Sequence, residues 1–249
     1  MSHSPTPLAP HPKLGRYYKT DGDRSEFVSG LFDEGAASYE WVCRVMSLGT
    51  GGQYRKNALR AAGLEPGMRV LDVATGTGLV LRPASELSGG TSLAIGLDPS
   101  DGMLRECRKR SAALLVQGRG EALPFRDGYF DMVSMGYGLR HVADLHALFR
   151  EYRRVIRPGG RVLVLEITQP ATTVGRTLNR AFLGTLVPGI ARLWKGAAAA
   201  QMMDYFWDTV ENCVPPDAIL SALGSAGFPG AARTVTGGIL SEYLGVRPL

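Results

Sequence analysis

Apolar residues fall along this chain in two rhythms. Between positions 68 and 167, short and nearly continuous apolar runs alternate with stretches of helical periodicity. The runs at 68–73, 92–97, 113–116, 130–135 and 161–167 predict strands, and the patterns at 79–87, 102–110 and 145–156 predict helices. The last of these helices is expected to stop at Arg157-Pro158-Gly159-Gly160, where proline and glycine oppose its continuation. Strands that alternate with helices and read as apolar on both faces predict a parallel, doubly wound sheet covered on both sides.

The flanks keep to helical spacing. Residues 25–62 carry Phe27, Leu31, Tyr39, Val42 and Met46 in that pattern, and residues 173–225 carry Leu178, Phe182, Trp194, Met202, Phe206 and Ile219. Residues 231–246 predict two antiparallel strands joined near Gly237-Gly238. The expected organisation is a flexible tail over 1–24, with Pro5, Pro7, Pro10 and Pro12 and with His3 and His11 given no role, followed by one domain over 25–249. Within that domain, 25–62 is a helical cover, 68–167 the core, 171–225 a second cover and 229–249 the closing strands.

Charge changes the picture little. The formal charge is +5, and arginine supplies most of it, since lysine occurs only at 13, 19, 56, 109 and 195. The basic runs at 105–110 and 150–157 read as solvated helix faces rather than a nucleic-acid stripe, so no nucleic-acid partner is expected. A mild attraction to anionic membrane surfaces is allowed, as peripheral contact at most. Cys43, Cys107 and Cys213 are odd in number and lack metal-ligand spacing, which favours a reduced, cytoplasmic setting without a metal. The N-terminal layout is not that of a signal peptide. The best membrane-span candidate, 178–194, is broken by Arg180, Pro188 and Arg192 and falls short of a crossing; it is expected to line an apolar pocket or lie at an interface.

The candidate chemistry begins where the first strand ends on Asp72 and the chain turns through Ala74-Thr75-Gly76-Thr77-Gly78. In such sheets ligands sit beyond the carboxyl ends of the strands, at the switch point. Small residues let a ligand touch the backbone there. Asp98 ends the second strand, and a carboxylate in that place can accept both hydroxyls of a ribose. A nicotinamide dinucleotide fits poorly, because its fingerprint wants a small residue where this chain has Leu81.

These residues resemble the first motif of class I S-adenosylmethionine-dependent methyltransferases. Further segments are similar to the ubiquinone/menaquinone C-methyltransferase (UbiE) family: Phe32-Asp33, Tyr39-Glu40 and Met46-Ser47-Leu48-Gly49; Asp98-Pro99-Ser100-Asp101-Gly102-Met103-Leu104; Glu121-Ala122-Leu123-Pro124-Phe125 with Phe130-Asp131; Tyr137-Gly138-Leu139-Arg140-His141-Val142; and Arg157-Pro158-Gly159-Gly160-Arg161 through Glu166. The resemblance implies a Rossmann-like α/β fold, a doubly wound and mostly parallel seven-stranded sheet with an added helical cover. It implies S-adenosylmethionine as cofactor, with Asp72 and the turn through Gly78 holding its methionine part, Thr77 in contact, Asp98 on the ribose, and Pro99, Met103 and Gly136 nearby. Where the family contacts adenine with Asp or Asn, this chain has Gly118-Arg119-Gly120, so backbone or a stacked Arg119 is expected instead.

The implied reaction is methylation of a ring carbon beside a hydroxyl, in a small, hydrophobic aromatic or quinol acceptor. O- or N-methylation of a natural-product intermediate, and a non-catalytic S-adenosylmethionine-binding protein, are the alternatives. Arg140 is expected to stabilise a phenolate and His141 to take a proton or to serve structure. Glu166 is expected to orient the acceptor or to pair with an arginine. Tyr205 is read as an acceptor contact or a core aromatic, and Tyr39 as core. Met202, Met203, Phe206 and Trp207 are read as core before pocket.

Overall fold

Every residue of strand β1 (Val70–Val73) is buried, and the rest of the molecule is arranged around it. The structure is a computed structural model, and it describes residues 6–249. Among these, β1 lies between β2 (Ala94–Asp98) and β4 (Phe130–Gly136), parallel to both. Strand β3 (Leu114–Gln117) continues one side, and β5 (Ile156–Ile167) the other. The antiparallel pair β6 (Ala232–Thr236) and β7 (Leu240–Val246) closes the sheet in the order β3-β2-β1-β4-β5-β7-β6. The order reverses at β1, so a crevice opens between the ends of β1 and β4.

One sheet face is covered by helices α5 (Leu145–Val155) and α9 (Pro216–Ser225), whose Leu145, Leu148, Phe149, Tyr152, Ile219 and Leu223 are buried. These α5 positions recur at helical spacing, and Asp144 caps the first turn by accepting from the amides of His146 and Ala147. The other face packs α2 (Gly51–Ala61) and α3 (Leu81–Ser88) through Ala58, Leu59 and Ala84. Helix α4 (Asp101–Arg108) follows β2.

A second apolar cluster sits over the carboxyl end of the sheet. It joins α1 (Asp21–Met46) to α7 (Val187–Lys195) and α8 (Ala197–Glu211). Helix α6 (Thr173–Ala181) runs into α7 through a π turn at Phe182–Leu186. Within the stretches 25–62 and 171–225 expected as covers, α1 and α6 to α8 lie over this end, whereas α2 and α9 pack on the sheet faces.

Strand β5 begins earlier than its apolar run implied. Ile156 pairs with Phe130, then Arg157–Gly160 bulge out before Arg161 pairs with Met132. A side chain on Gly160 would meet the Asp131 carbonyl at 2.8 Å, so glycine is required there. The bulge keeps the strand paired on both sides of the Pro-Gly-Gly turn.

The expected flexible tail over 1–24 is corrected from residue 6 onward, and helix α1 already starts at Asp21. The Leu8 amide donates to Asp144, the Leu145 amide donates to the Leu8 carbonyl, and the Val214 amide donates to the Pro10 carbonyl. His11 is buried, with Nδ1 2.7 Å from the Pro12 carbonyl and Nε2 2.8 Å from Arg24 Nη2. Arginine can only donate, so Nε2 accepts and the proton sits on Nδ1. Burial, with Arg24 adding to it, lowers the His11 pKa to about 4. Pro7, Pro10 and Pro12, which read as looseness, instead belong to an extended strap against the head of α5 and the segment after α8. His3 and Pro5 lie outside the described residues.

Candidate functional site

One cavity lies at the carboxyl end of β1, beside a backbone turn, and a second lies past the ends of β4 and β5. After Val73 the chain passes through Ala74, Gly76 and Gly78 with φ of +52°, +55° and +86°. A side chain on Gly78 would meet Cys107 Sγ at 2.8 Å, so the turn can neither carry bulk there nor relax cheaply. Ala74 holds a left-handed conformation that disfavours a Cβ, which is strain concentrated at the crevice.

Two carboxylates fix this turn. Asp72 is buried beneath it and accepts from the hydroxyls of Thr75 and Ser134, both at 2.7 Å. Asp98 accepts from the amides of Gly76 at 2.8 Å and Ser100 at 2.9 Å. Desolvation raises the pKa of Asp72 to about 7 and that of Asp98 to about 6, against hydrogen bonds that lower both. An ionised carboxylate has about four acceptor positions. Asp98 therefore keeps acceptor capacity after its two amides. The buried Thr77 hydroxyl has no partner among the described residues.

The first cavity, about 70 Å³, is lined by Val73, Ala74, Pro99, Arg119, Gly120, Gly138 and His141 below and by Ser25, Val28 and Ser29 of α1 above. Gly120 is pressed from beneath, where a Cβ would lie 2.5 Å from Leu148. Arg119 is half-exposed at the rim, with its guanidinium 3.7 Å from Glu121. The donor and acceptor set fits a nucleoside: carboxylate at the ribose end, apolar wall, backbone at the edge. Asp33 on α1 accepts from Ser100 at 2.5 Å and from the Gly102 amide at 2.8 Å, which ties α1 to the head of α4.

Of the residues expected at the cofactor, Ala74, Pro99, Arg119 and Gly120 line this cavity. Asp72, Thr75, Gly76, Thr77, Gly78 and Asp98 form the turn and its supports beside it, and Gly136 and Met103 pack elsewhere. A Cβ on Gly136 would collide with Val80 at 2.6 Å, so its smallness serves the packing of α3's approach. Met103 is buried under α4, its amide donating to Ser100.

The second cavity, about 200 Å³, lies under the cover and is lined mainly by apolar and aromatic groups: Tyr39, Met46, Tyr54, Tyr137, Phe182, Leu183, Met203, Phe206 and Leu240. Tyr39 brings this cavity up to the glycine turn, because its ring edge stands 3.8 Å from where a Cβ on Gly76 would lie. Burial raises its pKa well above 10. Tyr39, Met203 and Phe206 belong to the apolar cluster of the cover, as expected, and also form walls of this cavity. Met202 and Trp207 pack inward against Gly35 and Gly184.

Arg55 of α2 also lines this chamber. It is buried, its guanidinium carbon lies 5.3 Å from the centroid of Tyr137, and its Nε has no partner. No carboxylate lies within 4.0 Å of it among the described residues. Tyr137 itself sits at φ +62°, a strained position for an aromatic residue. Sequence reasoning missed Arg55. The signal was present, because Gly51, Arg55, Ala58 and Leu59 make one buried stripe of α2, and an arginine on such a stripe needs a reason.

The residues expected to act on the acceptor are placed otherwise. Arg140 Nε donates to Glu166 at 2.9 Å, both side chains fully buried, and Nη1 donates to Thr209 at 2.6 Å and the Phe206 carbonyl at 3.1 Å. Neither residue lines a cavity. Arg140 Nη2 and Glu166 Oε2 remain without partners. This pair pins α8 to the ends of β4 and β5, and its neutralised charge is not free to meet an acceptor in this arrangement. His141 stacks on Tyr205 at 5.6 Å and meets Phe32 edge-on at 5.0 Å. Burial, with Arg140 and Arg24 beside it, holds its pKa well below 6.5, so it is neutral in the physiological range rather than a base poised near 7. Tyr205 is fully buried against His141, Tyr17 and Phe27, and desolvation raises its pKa to about 12. It backs His141 and touches neither cavity.

Known proteins are similar to this chain in sequence or in fold. A ubiquinone/menaquinone biosynthesis C-methyltransferase of Shewanella sp. W3-18-1 is 31% identical over 240 residues, 92% of this chain and 95% of that protein. The corresponding enzyme of Shewanella oneidensis is 32% identical over the same coverage. Among solved structures, an S-adenosylmethionine-dependent methyltransferase from Thermotoga maritima superposes with a TM-score of 0.63 at 18% identity, covering 88% of this chain and 99% of that one. The phosphoethanolamine N-methyltransferase 2 of Haemonchus contortus, in complex with S-adenosylmethionine, gives 0.61 at 16% identity, covering 91% of this chain and 59% of that one. These structures share the Rossmann-like methyltransferase fold. Residues 19–247 match the ubiE/COQ5 methyltransferase family, and the chain belongs to it as an S-adenosylmethionine-dependent methyltransferase.

Proposed function

We propose that the protein methylates a ring carbon of a hydroxylated aromatic or quinol bound in the apolar chamber. The observation that carries this reading is Arg55: a buried cation without a carboxylate partner, in a chamber that adjoins the glycine turn through Tyr39. An apolar wall suits a hydrophobic ring, and one cation suits one ionising hydroxyl. The relatives whose names specify ubiquinone and menaquinone biosynthesis support a quinol with an isoprenoid tail.

When bound, S-adenosylmethionine supplies an electrophilic methyl group on a sulfonium. Asp98 accepts the ribose hydroxyls, Ala74 to Gly78 cradle the methionine part with Asp72 fixing the turn from below, and Pro99, Arg119 and Gly120 border the adenine. Arg55 would hold the acceptor hydroxyl as its anion after that proton passes to solvent at the chamber mouth beside Leu48, which enriches the neighbouring ring carbon in electrons. The ring proton that the methyl group replaces leaves to solvent by the same mouth. Tyr39 bounds the ring on the side of the turn. The mainly apolar wall of the chamber lowers the dielectric around Arg55 relative to bulk water, which strengthens its attraction for the anion. The Arg140–Glu166 pair is a positioning element that sets α8, and with it Met203 and Phe206.

The test uses methyl-labelled S-adenosylmethionine with short-tailed benzoquinols and naphthoquinols. Carbon NMR of the product is expected to show a methyl on a ring carbon with both hydroxyls free. A label recovered as an aryl methyl ether makes the enzyme an O-methyltransferase and overturns the reading.

A further inference from the structure

The outer side of the second cover is apolar where water would meet it. Helix α6, the π turn and α7 run without a break from Thr173 to Lys195. Asn179, Leu183, Val187 and Ala191 recur every four residues and are buried. Turned away from that stripe, Val174, Leu178, Leu186 and Leu193 are 70%, 65%, 52% and 84% exposed, and Trp194 at the helix end is 74% exposed. Isolated exposed leucines need no explanation, but a run of this length on one element does.

Two observations say what covers it. The first is charge. Between residues 167 and 203 there is no Asp or Glu, while Arg176, Arg180, Arg192 and Lys195 all fall there. Arg180 and Arg192 reach acids of α8, Glu211 and Asp204, whereas Arg176 and Lys195 have no acidic partner among the described residues. The second is continuity with the chamber. Leu48, 80% exposed on the turn between α1 and α2, lines the chamber together with Phe182 and Leu183 of the π turn. The chamber therefore reaches the surface beside this face. No helix among the described residues is long and apolar enough to cross a membrane, so any lipid contact made through a helix is peripheral.

We propose that the α6–α7 face docks on a bilayer surface carrying anionic headgroups. Leu178, Leu186, Leu193 and Trp194 enter the interface, and the cations meet the headgroups. A lipid-soluble acceptor then passes from the bilayer to the chamber beside Leu48 without crossing water. Docking itself does not depend on the identity of the acceptor, so vesicle binding tests it separately from the reaction.

The experiment is sedimentation of the full chain with phosphatidylcholine vesicles, with and without phosphatidylglycerol. The parent is expected to sediment with the mixed vesicles, less with pure phosphatidylcholine, and less again as salt rises. The triple variant Leu178→Glu, Leu193→Glu, Trp194→Glu is expected to lose about tenfold or more in partitioning, since each change replaces buried apolar area with a charge. All three positions are exposed, so the fold survives, which circular dichroism checks. Val235→Glu on the edge strand β6 is expected to bind as the parent does. A parent that stays in solution with anionic vesicles overturns the proposal, as does a triple variant that sediments unchanged. A parent that ignores vesicles but dimerises through this face, with the dimer lost in the triple variant, assigns the face to a second copy and also overturns it.

Discussion

Three buried arginines, Arg24, Arg55 and Arg140, stand at the carboxyl end of the sheet. Arg24 gives its guanidinium to His11 and to the Arg140 carbonyl, and the other two have opposite surroundings. Arg140 is sealed between β5 and α8, with Glu166 at 2.9 Å and two further acceptors. Arg55 is buried with no acid within reach among the described residues, and a cavity lies in front of it. A paired charge in the interior holds elements together and changes little when a ligand arrives. An unpaired one in a cavity is expensive until an anion comes. The family resemblance pointed to Arg140 as the acceptor's cation, whereas burial and partners point to Arg55.

That contrast breaks most visibly in stability. Arg140→Ala leaves the Glu166 carboxylate buried with no counter-charge, which costs about 3–5 kcal/mol. Denaturant unfolding should show it as a large fall in midpoint. The double variant Arg140→Met, Glu166→Leu should recover most of the loss, because a volume-matched apolar pair removes the uncompensated charge. An Arg140→Ala protein as stable as the parent would mean the pair is not buried as described.

The cofactor side gives the next effect. Asp98→Ala should weaken S-adenosylmethionine binding by about 1.5–3 kcal/mol, the loss of hydrogen bonds to a charged group, with calorimetry as the measure. The same carboxylate sets a pH dependence. Its folded pKa is raised to about 6, so the ionised acceptor is present above pH 6 and disappears as pH falls through it. Affinity should therefore decline below about pH 6 in the parent and not in Asp98→Asn.

Arg55→Met should lower kcat/KM by a comparable or smaller amount, about 1–3 kcal/mol for one charge-assisted contact. The cofactor dissociation constant should hardly move. Arg55→Lys should restore part of the rate, since a point charge keeps the attraction but loses the planar fork. Equal losses in cofactor affinity and turnover would instead mark Arg55 as a structural residue of α2.

The last effect belongs to the strap and appears only at acid pH. His11 is neutral in the fold with its pKa lowered to about 4, against 6.5 unfolded. Between those values the unfolded chain binds more protons, so stability falls as pH drops from 6.5 toward 4. Thermal unfolding should show that slope in the parent and a shallower one in His11→Gln, whose amide also accepts from Arg24.

The core was far more legible than the cover, and the reason is physical. Strands β1, β2, β4 and β5 are buried on both faces, so their apolar runs announce them, and the turn after Val73 announces itself through Gly76 and Gly78. Asp98 was readable because a carboxylate ending a buried strand has few other uses. The cover offered only helical periodicity, which Tyr39, Met202, Met203, Phe206 and Trp207 satisfy whether they face core or cavity. What separates Met203 from Met202 is the packing of α8 against Gly35, a contact across some 170 positions of sequence. The strap failed for another reason. Four prolines read as disorder when nothing is known of a partner, yet extended backbone with few donors suits a strap against the head of α5 and the segment after α8.

The central claim is that the chamber binds an acceptor as its anion on Arg55. A coloured hydroxynaphthoquinone, titrated spectrophotometrically while bound to the cofactor-product complex, reports the ionisation of its own hydroxyl. With the parent, that pKa should fall below its value in free solution, because the guanidinium favours the anion. With Arg55→Met it should rise above the free value, because an apolar chamber without a cation disfavours charge. A bound pKa raised in the parent, or equal in the two proteins, would contradict the account.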